Sequence, residues 1–383
     1  MDRTTISGGI RRPALAVITA ALAAAVLAAL VAAPTPAGAA PQPPAPAAAG
    51  QPASLRSTLA GPNATGQAAT PDRPPRGSQP ADIPGGFVFR TGLFGRAFYA
   101  PLREVPGAAI TAHLGINDHG QVTGTYVDDA PSPDGGSDTG HGFVQDRRGH
   151  TARFDVPGAS ITLPNGINDH GQVAGAFVDA GIVPLPGGAA PPGSVHGFVR
   201  DPRGGITAFE VPYWRLHNVS DVNNRGQVVG YYDQPGFAGA GAFLRDRDGT
   251  ITTITYPGAP YTEAHGINDR GQVVGAYLEP GAAPNPDGTI PRNAVHGFVW
   301  ERGRFTSFDV PGSIYTQAFG INDRGQVTGG YYDASARQHA FLRDRGRYRT
   351  LDAPGGNIAY GINDHGEIVL PDPRAAGLLP VAT

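Results

Sequence analysis

The sequence predicts an all-β protein, a six-bladed β-propeller of four-stranded antiparallel blades that is closed by pairing of its N- and C-terminal strands. A short phrase recurs six times along the chain, and the residues after it alternate between apolar and polar as strands do. The repeating body also begins and ends at complementary points of one repeat. These three observations place the propeller in residues 85–371.

The recurring phrase is Gly-Ile-Asn-Asp-x-Gly-Gln-Val, which predicts a hairpin turn followed by a strand. Its Asn and Asp side chains are suited to bonding the backbone of their own turn, and its second Gly supplies the positive φ that closes the turn. The phrase starts at Gly115, Gly166, Gly266, Gly320 and Gly361, and a variant, Asp221 to Gln227, stands in third place.

Two further phrases complete each repeat. His-Gly-Phe or a near variant stands at His141, His196, Gly241, His296 and His339, with Gly85-Gly86-Phe87 as the sixth copy. A strand that ends before a proline follows, as at Phe154 to Pro157, because proline cannot donate to a strand ladder. The residues that lead into the next Gly-Ile-Asn form a fourth strand, so one repeat has the strand content of one propeller blade.

The two ends of the repeating body favour a closed ring. The body starts near Gly86 with the third and fourth strands of a repeat and ends near Leu370 after the first two strands of another. Pairing these halves completes a sixth blade and hides two edge strands, whereas an open stack would need capping repeats. A seven-bladed ring or another β-fold is the alternative.

These phrases resemble the HAF repeats of extracellular bacterial repeat proteins, over residues 86–370. The resemblance implies export and a repeat domain of largely undefined biochemical role. This sequence departs from the pattern at Gly241, Asn224 and Glu367, which replace the His, Asp and Gln of the other copies.

The N-terminal residues have the parts of a secretory signal. Arginines precede the apolar run Ala14–Ala33, and Ala37-Gly38-Ala39 then offers a small-residue cleavage site. We therefore expect residues 1–39 to be a signal peptide cleaved near Ala39, and the protein to be secreted in the bacterial manner. An uncleaved membrane anchor and export by the twin-arginine route, suggested by Arg11-Arg12, are the alternatives.

Two low-complexity segments flank the predicted propeller. Residues 40–84 are rich in Pro, Ala and Gly and hold few large apolar groups, which predicts a disordered spacer. Residues 372–383 are expected to form a flexible tail.

Composition limits the classes of partner and chemistry. The 383 residues carry a net charge of −3, which lacks the basic footprint of a nucleic-acid binder. Cysteine is absent, which excludes disulfides, Cys-ligated metals and a thiol nucleophile. We expect a monomer that does not associate with a membrane once its signal is cleaved.

Positions that vary within the repeating frame are candidates for binding. Two such positions share one face of the strand that enters Gly-Ile-Asn, and they line the channel if this strand is innermost. The first holds Leu114, Asn165, Ser220, His265, Phe319 and Tyr360, and the second, two residues earlier, holds Ala112, Leu163, Asn218, Glu263, Gln317 and Ile358. Uneven core packing between unequal blades is the alternative explanation.

The third repeat departs most from the frame and supplies further candidates. Trp214, Arg215 and His217 occur there, and Trp and Arg are frequent binding anchors. Together with Glu263 and His265 they form our predicted ligand-binding set. The expected partner is an unidentified extracellular ligand, either a glycan or a protein.

The sequence assigns no catalytic residue, cofactor or metal ligand set. The repeated histidines are expected to bond within their own blades, and acidic residues of the insertions, such as Asp128 and Asp134, leave a Ca²⁺ site open. The leading functional hypothesis is therefore an exported, non-catalytic binding or scaffold propeller. The alternative is a propeller enzyme, a lyase or glycan hydrolase that uses Glu263 and His265 at the inner strand face.

Overall fold

The computed structural model describes residues 86–91, 97–128, 140–182, 191, 193–211, 215–233, 240–282, 291–351, 353 and 357–371. The expected signal peptide, spacer and tail lie outside these ranges, so they stay predictions. The described residues form β-strands and turns, without a helix. In these same ranges no helical segment of a length and hydropathy suited to crossing a bilayer occurs.

Five complete blades each contain four antiparallel strands, ordered in the sheet as along the chain. Two earlier strands, β1 (Gly86–Thr91) and β2 (Ala97–Pro101), belong to the closing blade, blade 6. Blade 1 holds β3 (Ala108–Ile116), β4 (Val122–Asp128), β5 (Gly140–Gln145) and β6 (Thr151–Phe154). Blade 2 holds β7 (Ala159–Ile167), β8 (Val173–Asp179), β9 (Val195–Arg200) and β10 (Ile206–Phe209).

The next three blades repeat this arrangement. Blade 3 holds β11 (Arg215–Val222), β12 (Val228–Asp233), β13 (Ala240–Arg245) and β14 (Ile251–Ile254). Blade 4 holds β15 (Thr262–Ile267), β16 (Val273–Leu278), β17 (Val295–Glu301) and β18 (Arg304–Phe308). Blade 5 holds β19 (Ser313–Ile321), β20 (Val327–Asp333), β21 (Gln338–Asp344) and β22 (Arg347–Thr350), and the last strand, β23 (Ile368–Pro371), belongs to blade 6.

Blade 6 closes the ring, as predicted. Strand β23 pairs antiparallel with β1, so that Leu370 lies opposite Phe87. On its other side the segment 357–362 completes the blade, since the Tyr360 N–H donates to the Val369 carbonyl at 2.9 Å and the Val369 N–H donates to the Gly361 carbonyl at 2.9 Å. This segment is less regular than its counterparts, since its Ile362 forms an isolated bridge with Ile368 in place of a continuous strand ladder.

The strand that enters the Gly-Ile-Asn phrase is innermost, because β3, β7, β11, β15 and β19 each contact a counterpart in an adjacent blade. The turns that follow these strands form what we call the Asn–Asp ring. Its members are Asn117-Asp118, Asn168-Asp169, Asn223-Asn224, Asn268-Asp269, Asn322-Asp323 and Asn363-Asp364.

Side chains of the Asn–Asp ring join every blade to the next. Each Asn amide donates to the backbone carbonyl of the next Asn at 2.9–3.0 Å, and Asn363 donates back to Asn117. Each following residue donates its N–H to the Oδ1 of its counterpart at 2.7–2.8 Å. The expectation that both side chains bond their own turn holds for Asn, as Asn117 Oδ1 accepts from the Gln121 N–H. For Asp the expectation is wrong. The six turns converge at the axis, so the donor closest to each Asp side chain is the backbone N–H of the turn in the adjacent blade.

One phenylalanine per blade is almost completely buried, namely Phe143, Phe198, Phe243, Phe298, Phe341 and, in blade 6, Phe89. The sequence suggested Phe87 for blade 6, and this residue does occupy the matching register opposite Leu370. In the other blades the ring packs over a glycine, as Phe298 does over Gly275. Leu370 fills that space in blade 6, so Phe87 is only half-buried and Phe89 enters the core instead.

Candidate functional site

The two variable positions of the innermost strands form a set that we call the axial belt, which comprises Leu114, Asn165, Ser220, His265, Phe319, Tyr360, Ala112, Leu163, Asn218, Glu263, Gln317 and Ile358. Several belt residues, such as Glu263 and Gln317, are half-buried, whereas Ala264 and Ala318 between belt positions are completely buried. Since blades cover the innermost strands on both sides, this remaining exposure comes from the axial channel.

A hydrogen-bond network joins blades 4 and 5 within the axial belt. Gln317 Nε2 donates to Glu263 Oε2 at 3.3 Å and lies 2.8 Å from His265 Nε2. The Tyr315 hydroxyl donates to Gln317 Oε1 at 3.0 Å, which fixes the orientation of the amide. Because the amide nitrogen then faces His265, we assign His265 Nε2 as an acceptor in a neutral ring.

The Glu263 and His265 acceptors converge. Glu263 Oε2 and His265 Nε2 are 3.4 Å apart, and both side chains are mostly buried. Burial raises the pKa of Tyr315 far above its ordinary value, so its hydroxyl stays protonated and keeps donating to Gln317. The network therefore presents one carboxylate and one ring nitrogen to the channel side of these strands.

Four aromatic rings, one from each of blades 3 to 6, continue the wall of the axial channel beside this network, and we call them the aromatic row. Ring centroids of Tyr231 and His265 are 5.7 Å apart, those of His265 and Phe319 5.0 Å, and those of Phe319 and Tyr360 4.7 Å. Burial raises the pKa of Tyr360, and the nearby hydroxyls of Tyr231 and Tyr332 add to this effect. Tyr360 Oη is buried without a hydrogen-bond partner among the described residues.

Blades 2 and 3 carry amides and a hydroxyl at the axial belt. Asn165 Nδ2 donates to Asn218 Oδ1 at 2.9 Å and to the Val219 carbonyl at 2.7 Å. Ser220, 9% exposed, has an Oγ with no hydrogen-bond partner in the described part of the chain. A buried polar atom without a partner usually marks a place for water or a ligand atom. Polar belt residues thus come from blades 2 to 5, and aromatic ones from blades 4 to 6.

The structure brings two of the five predicted ligand-binding residues into contact. Glu263 and His265 lie side by side on β15. Trp214 falls outside the described residues, and for Arg215 and His217 only the backbone of β11 is described.

The position of His217 has a repeated structural use in other blades. Its counterparts are the buried threonines Thr111, Thr162, Thr262 and Thr316, whose hydroxyls accept the N–H of the residue six positions earlier. This position therefore alternates with the belt positions along the strand.

Sequence reasoning missed two contributors to the network. Tyr315 was not singled out, although it lies two residues before Gln317, on the same strand face, where blades 1 to 3 carry Ile110, Ile161 and Leu216. Blade 4 also carries a tyrosine there, Tyr261, so an aromatic residue with a hydroxyl at a position that is aliphatic in blades 1 to 3 was the available signal. Tyr231 lies on β12, outside the innermost strands, and its contact with His265 depends on blade packing that the pattern does not encode.

The repeated histidines bond within their own blades, as expected. His141 Nδ1 lies 3.0 Å from Asp155, and His296 Nδ1 lies 2.9 Å from Asp309. Across the described ranges no group of three or more His, Asp or Glu side chains is arranged to hold a metal ion. Of the acidic insertion residues, Asp128 lies 3.6 Å from His141, and Asp134 falls outside the described residues.

The Asn–Asp ring surrounds a cavity of about 80 Å³ at one end of the channel. Asp221, which replaces the first Gly of the phrase, also lines it and accepts the N–H groups of Val222 at 2.8 Å and Ile267 at 3.0 Å. Burial raises the pKa of Asp221 to about 7 despite these bonds. Because one side-chain oxygen, Oδ1, of each Asp and of Asn224 already accepts from a neighbouring blade, we interpret this end of the channel as structural.

No model of a known protein family matches the chain, and no curated protein matches it either. Solved structures resemble it at low identity. TolB from Acinetobacter baumannii is 11% identical, over 75% of this chain and 63% of that one, with a TM-score of 0.43. The β-propeller domain of the Trilobed protease from Pyrococcus furiosus is 11% identical, over 66% of this chain and 76% of that one, with a TM-score of 0.40.

A third similar structure is the Pyrococcus horikoshii acylaminoacyl peptidase, which is 12% identical over 62% of this chain with a TM-score of 0.38. The alignment spans only 39% of that peptidase's length. At these identities and TM-scores the similarities give no information about the ligand or activity of this chain.

Proposed function

We propose that the protein is an exported, non-catalytic binding or scaffold propeller whose ligand occupies the axial belt. One observation supports this most, namely the network of Glu263, His265, Gln317 and Tyr315. Polar groups that repeat, such as the Asn–Asp ring, are used to hold blades together. Glu263, His265 and Gln317 do not repeat, and their partial exposure supports a location beside the channel.

The proposed setting is extracellular, with the chain acting as a monomer on a glycan or protein ligand. The signal-like N-terminus and the resemblance to HAF repeats support export. A polar network beside apolar and aromatic groups is the usual composition of a ligand site.

A binding screen of the full-length protein against glycans and small metabolites tests this function. Any ligand found should lose affinity when Glu263 and His265 are changed to alanine. Trp214→Ala serves as the comparison, because Trp214 immediately precedes β11 in the sequence and is not one of the belt positions. If alanine at all of Trp214, Arg215, His217, Glu263 and His265 leaves binding intact, the site lies elsewhere, on the insertions.

A second candidate function is a propeller enzyme, a lyase or glycan hydrolase. The separation of 3.4 Å between Glu263 Oε2 and His265 Nε2 favours it, since a carboxylate and a ring nitrogen this close can both reach one substrate group and act there as acid and base. A ligand that is converted by the wild type, and bound but not converted by Glu263→Gln, would support catalysis. A ligand recovered unchanged after prolonged incubation would contradict it.

A further inference from the structure

We infer that the axial belt binds an organic cation, a primary or methylated ammonium group, held at the Glu263 carboxylate. This inference rests on the proposed function, because it names the ligand chemistry of the same site. Three features of the belt support the inference, namely its charge, its converging hydrogen-bond acceptors and the aromatic row.

The charge of the axial belt is unbalanced. Glu263 is the only acidic residue at the belt positions, and none of those positions carries an arginine. The Glu263 side chain is 13% exposed, so water solvates it poorly. A partly buried carboxylate is costly without a cationic partner, and a cationic ligand supplies that partner.

The hydrogen-bond acceptors of the belt favour a ligand that carries several hydrogen-bond donors. Glu263 Oε2 and His265 Nε2 both face the amide nitrogen of Gln317 and are 3.4 Å apart. The amide nitrogen of Gln317 is the donor between these two atoms, whereas Glu263 Oε1 has no hydrogen-bond partner in the described part of the chain and can accept from a ligand. An ammonium group offers several N–H donors and no acceptor, whereas a hydroxyl brings one donor and its own lone pairs.

The aromatic row adds attraction for a cation in particular. The faces of Tyr and Phe rings are electron-rich and attract cations within about 6 Å of the ring centre. His265 joins the carboxylate to this row, since its ring contacts Tyr231 on one side and Phe319 on the other. An ammonium group at Glu263 therefore lies next to aromatic rings, and its methyl groups or carbon chain have an apolar surface to cover.

Matched ligands that differ in one charge test the inference on the wild-type, full-length protein. Glucosamine is compared with N-acetylglucosamine, and a lysine peptide with the same peptide carrying acetyl-lysine, by isothermal titration calorimetry. Tetramethylammonium is the probe for a bare cation. We expect the charged member of the favoured pair to bind about tenfold tighter or more. The two pairs distinguish an amino sugar from a protein side chain as the source of the ammonium group.

A charge-neutral variant locates the interaction. Glu263→Gln should weaken binding of the charged ligand by about tenfold or more, whereas Glu279→Gln, the same change on an exposed loop, should not. The wild-type comparison decides the question even if Glu263→Gln does not fold.

Two results would overturn the inference. Equal binding of charged and acetylated ligands, or belt binding confined to neutral sugars or anions, would overturn the ligand class while the proposed function stands. A belt that binds nothing in the wider screen would overturn both.

Discussion

Each repeated histidine bonds a carboxylate of its own blade, which explains why this residue recurs at one position of the repeat. In blade 1 the ring of His141 lies between Asp155, which follows the outermost strand, and Asp128, at the end of β4. It also stacks on the Tyr126 ring, with centroids 5.1 Å apart. Blade 3 has Gly241 instead, so the pair adjusts stability without being required for a blade to form.

The His141 pair predicts a pH dependence with a definite sign. The hydrogen bond with Asp155 raises the pKa of His141, and burial opposes it less strongly. Because the folded pKa exceeds the unfolded value, the pair stabilises the fold fully below pH about 6.5 and loses this effect as the pH rises through the raised pKa. Between pH 6 and 8.5 the wild type should lose about 0.5 kcal/mol more unfolding free energy than His141→Gln.

Urea denaturation at the two pH values measures this difference. His150→Gln is the control, because its side chain is 79% exposed and should leave the pH dependence as it is in the wild type. Identical pH profiles for His141→Gln and the wild type would show that the pair contributes nothing.

At the scale of a single strand, the position of the Glu263 backbone depends on a glycine of the next strand. A Cβ on Gly275 of β16 would lie 1.8 Å from the Glu263 carbonyl oxygen. The counterpart glycines in other blades are crowded in the same way, with distances to the matching carbonyl oxygen of 1.8 Å for Gly124 and 2.1–2.2 Å for Gly175, Gly230 and Gly329. The repeated glycine therefore lets the innermost strand bulge toward its neighbour, and that bulge positions the belt side chains.

We expect Gly275→Ala to push β15 away and to impair both folding and binding. The clash with backbone cannot be relieved by a side-chain rotation, so unfolding free energy should fall by about 1–3 kcal/mol. Gly330→Ala, on β20, is the control, since the nearest atom to its added Cβ is 3.5 Å away. Chemical denaturation of both variants checks the prediction, and an unchanged midpoint for Gly275→Ala would contradict it.

The repeat predicted the elements better than it predicted the site. Turns, strands and the innermost strand follow from local patterns, because each blade reuses the same short phrases. The network around Glu263 depends on Gln317, which lies 54 residues further along the chain and meets it only when blades 4 and 5 pack together. No periodic pattern encodes such a contact. The sequence also did not predict that Phe89, in place of Phe87, fills the core of blade 6. This arrangement depends on Leu370, which lies opposite Phe87 where the two ends of the chain pair.

At the scale of the whole molecule, the closing blade contains a carboxylate with two arginine partners. Glu367 stands where the other repeats have Gln, and its carboxylate lies 3.1 Å from Arg90 of β1 and 2.8 Å from Arg147 of blade 1. It also accepts from the Asn363 amide at 2.8 Å. One nearly buried carboxylate thus links the C-terminal strand, the N-terminal strand and the adjoining blade, and this departure from the repeat has a structural reason.

Glu367→Gln should destabilise the ring although it restores the residue of the other repeats. It leaves Arg90 and Arg147 without their anionic partner, so unfolding free energy should fall by about 2 kcal/mol. Thermal and urea unfolding measure the loss, with Glu301→Gln as an exposed control of equal charge change. A Glu367→Gln variant as stable as the wild type would show that closure does not depend on this ion pair.

The strongest test of the ring removes the C-terminal half of blade 6. A chain that stops at Tyr360 lacks β23 and the turn with Asn363 and Asp364, which supply one sixth of the Asn–Asp ring. Strand β1 then has an unpaired edge, and blades 5 and 1 each lose a neighbour. We expect a broad transition at a lower temperature, because each blade of a closed ring is supported by two others.

Calorimetry of this truncated chain should be compared with a chain that stops at Pro371. The longer chain keeps β23 and its pairing with β1, so its melting should match that of the full-length protein. Removal of 11 further residues should then cost far more than one hairpin, since it opens the circle of hydrogen bonds from Asn322 through Asn363 to Asn117. A single sharp transition near the parent temperature after truncation at Tyr360 would instead show that the blades are stable as an open stack.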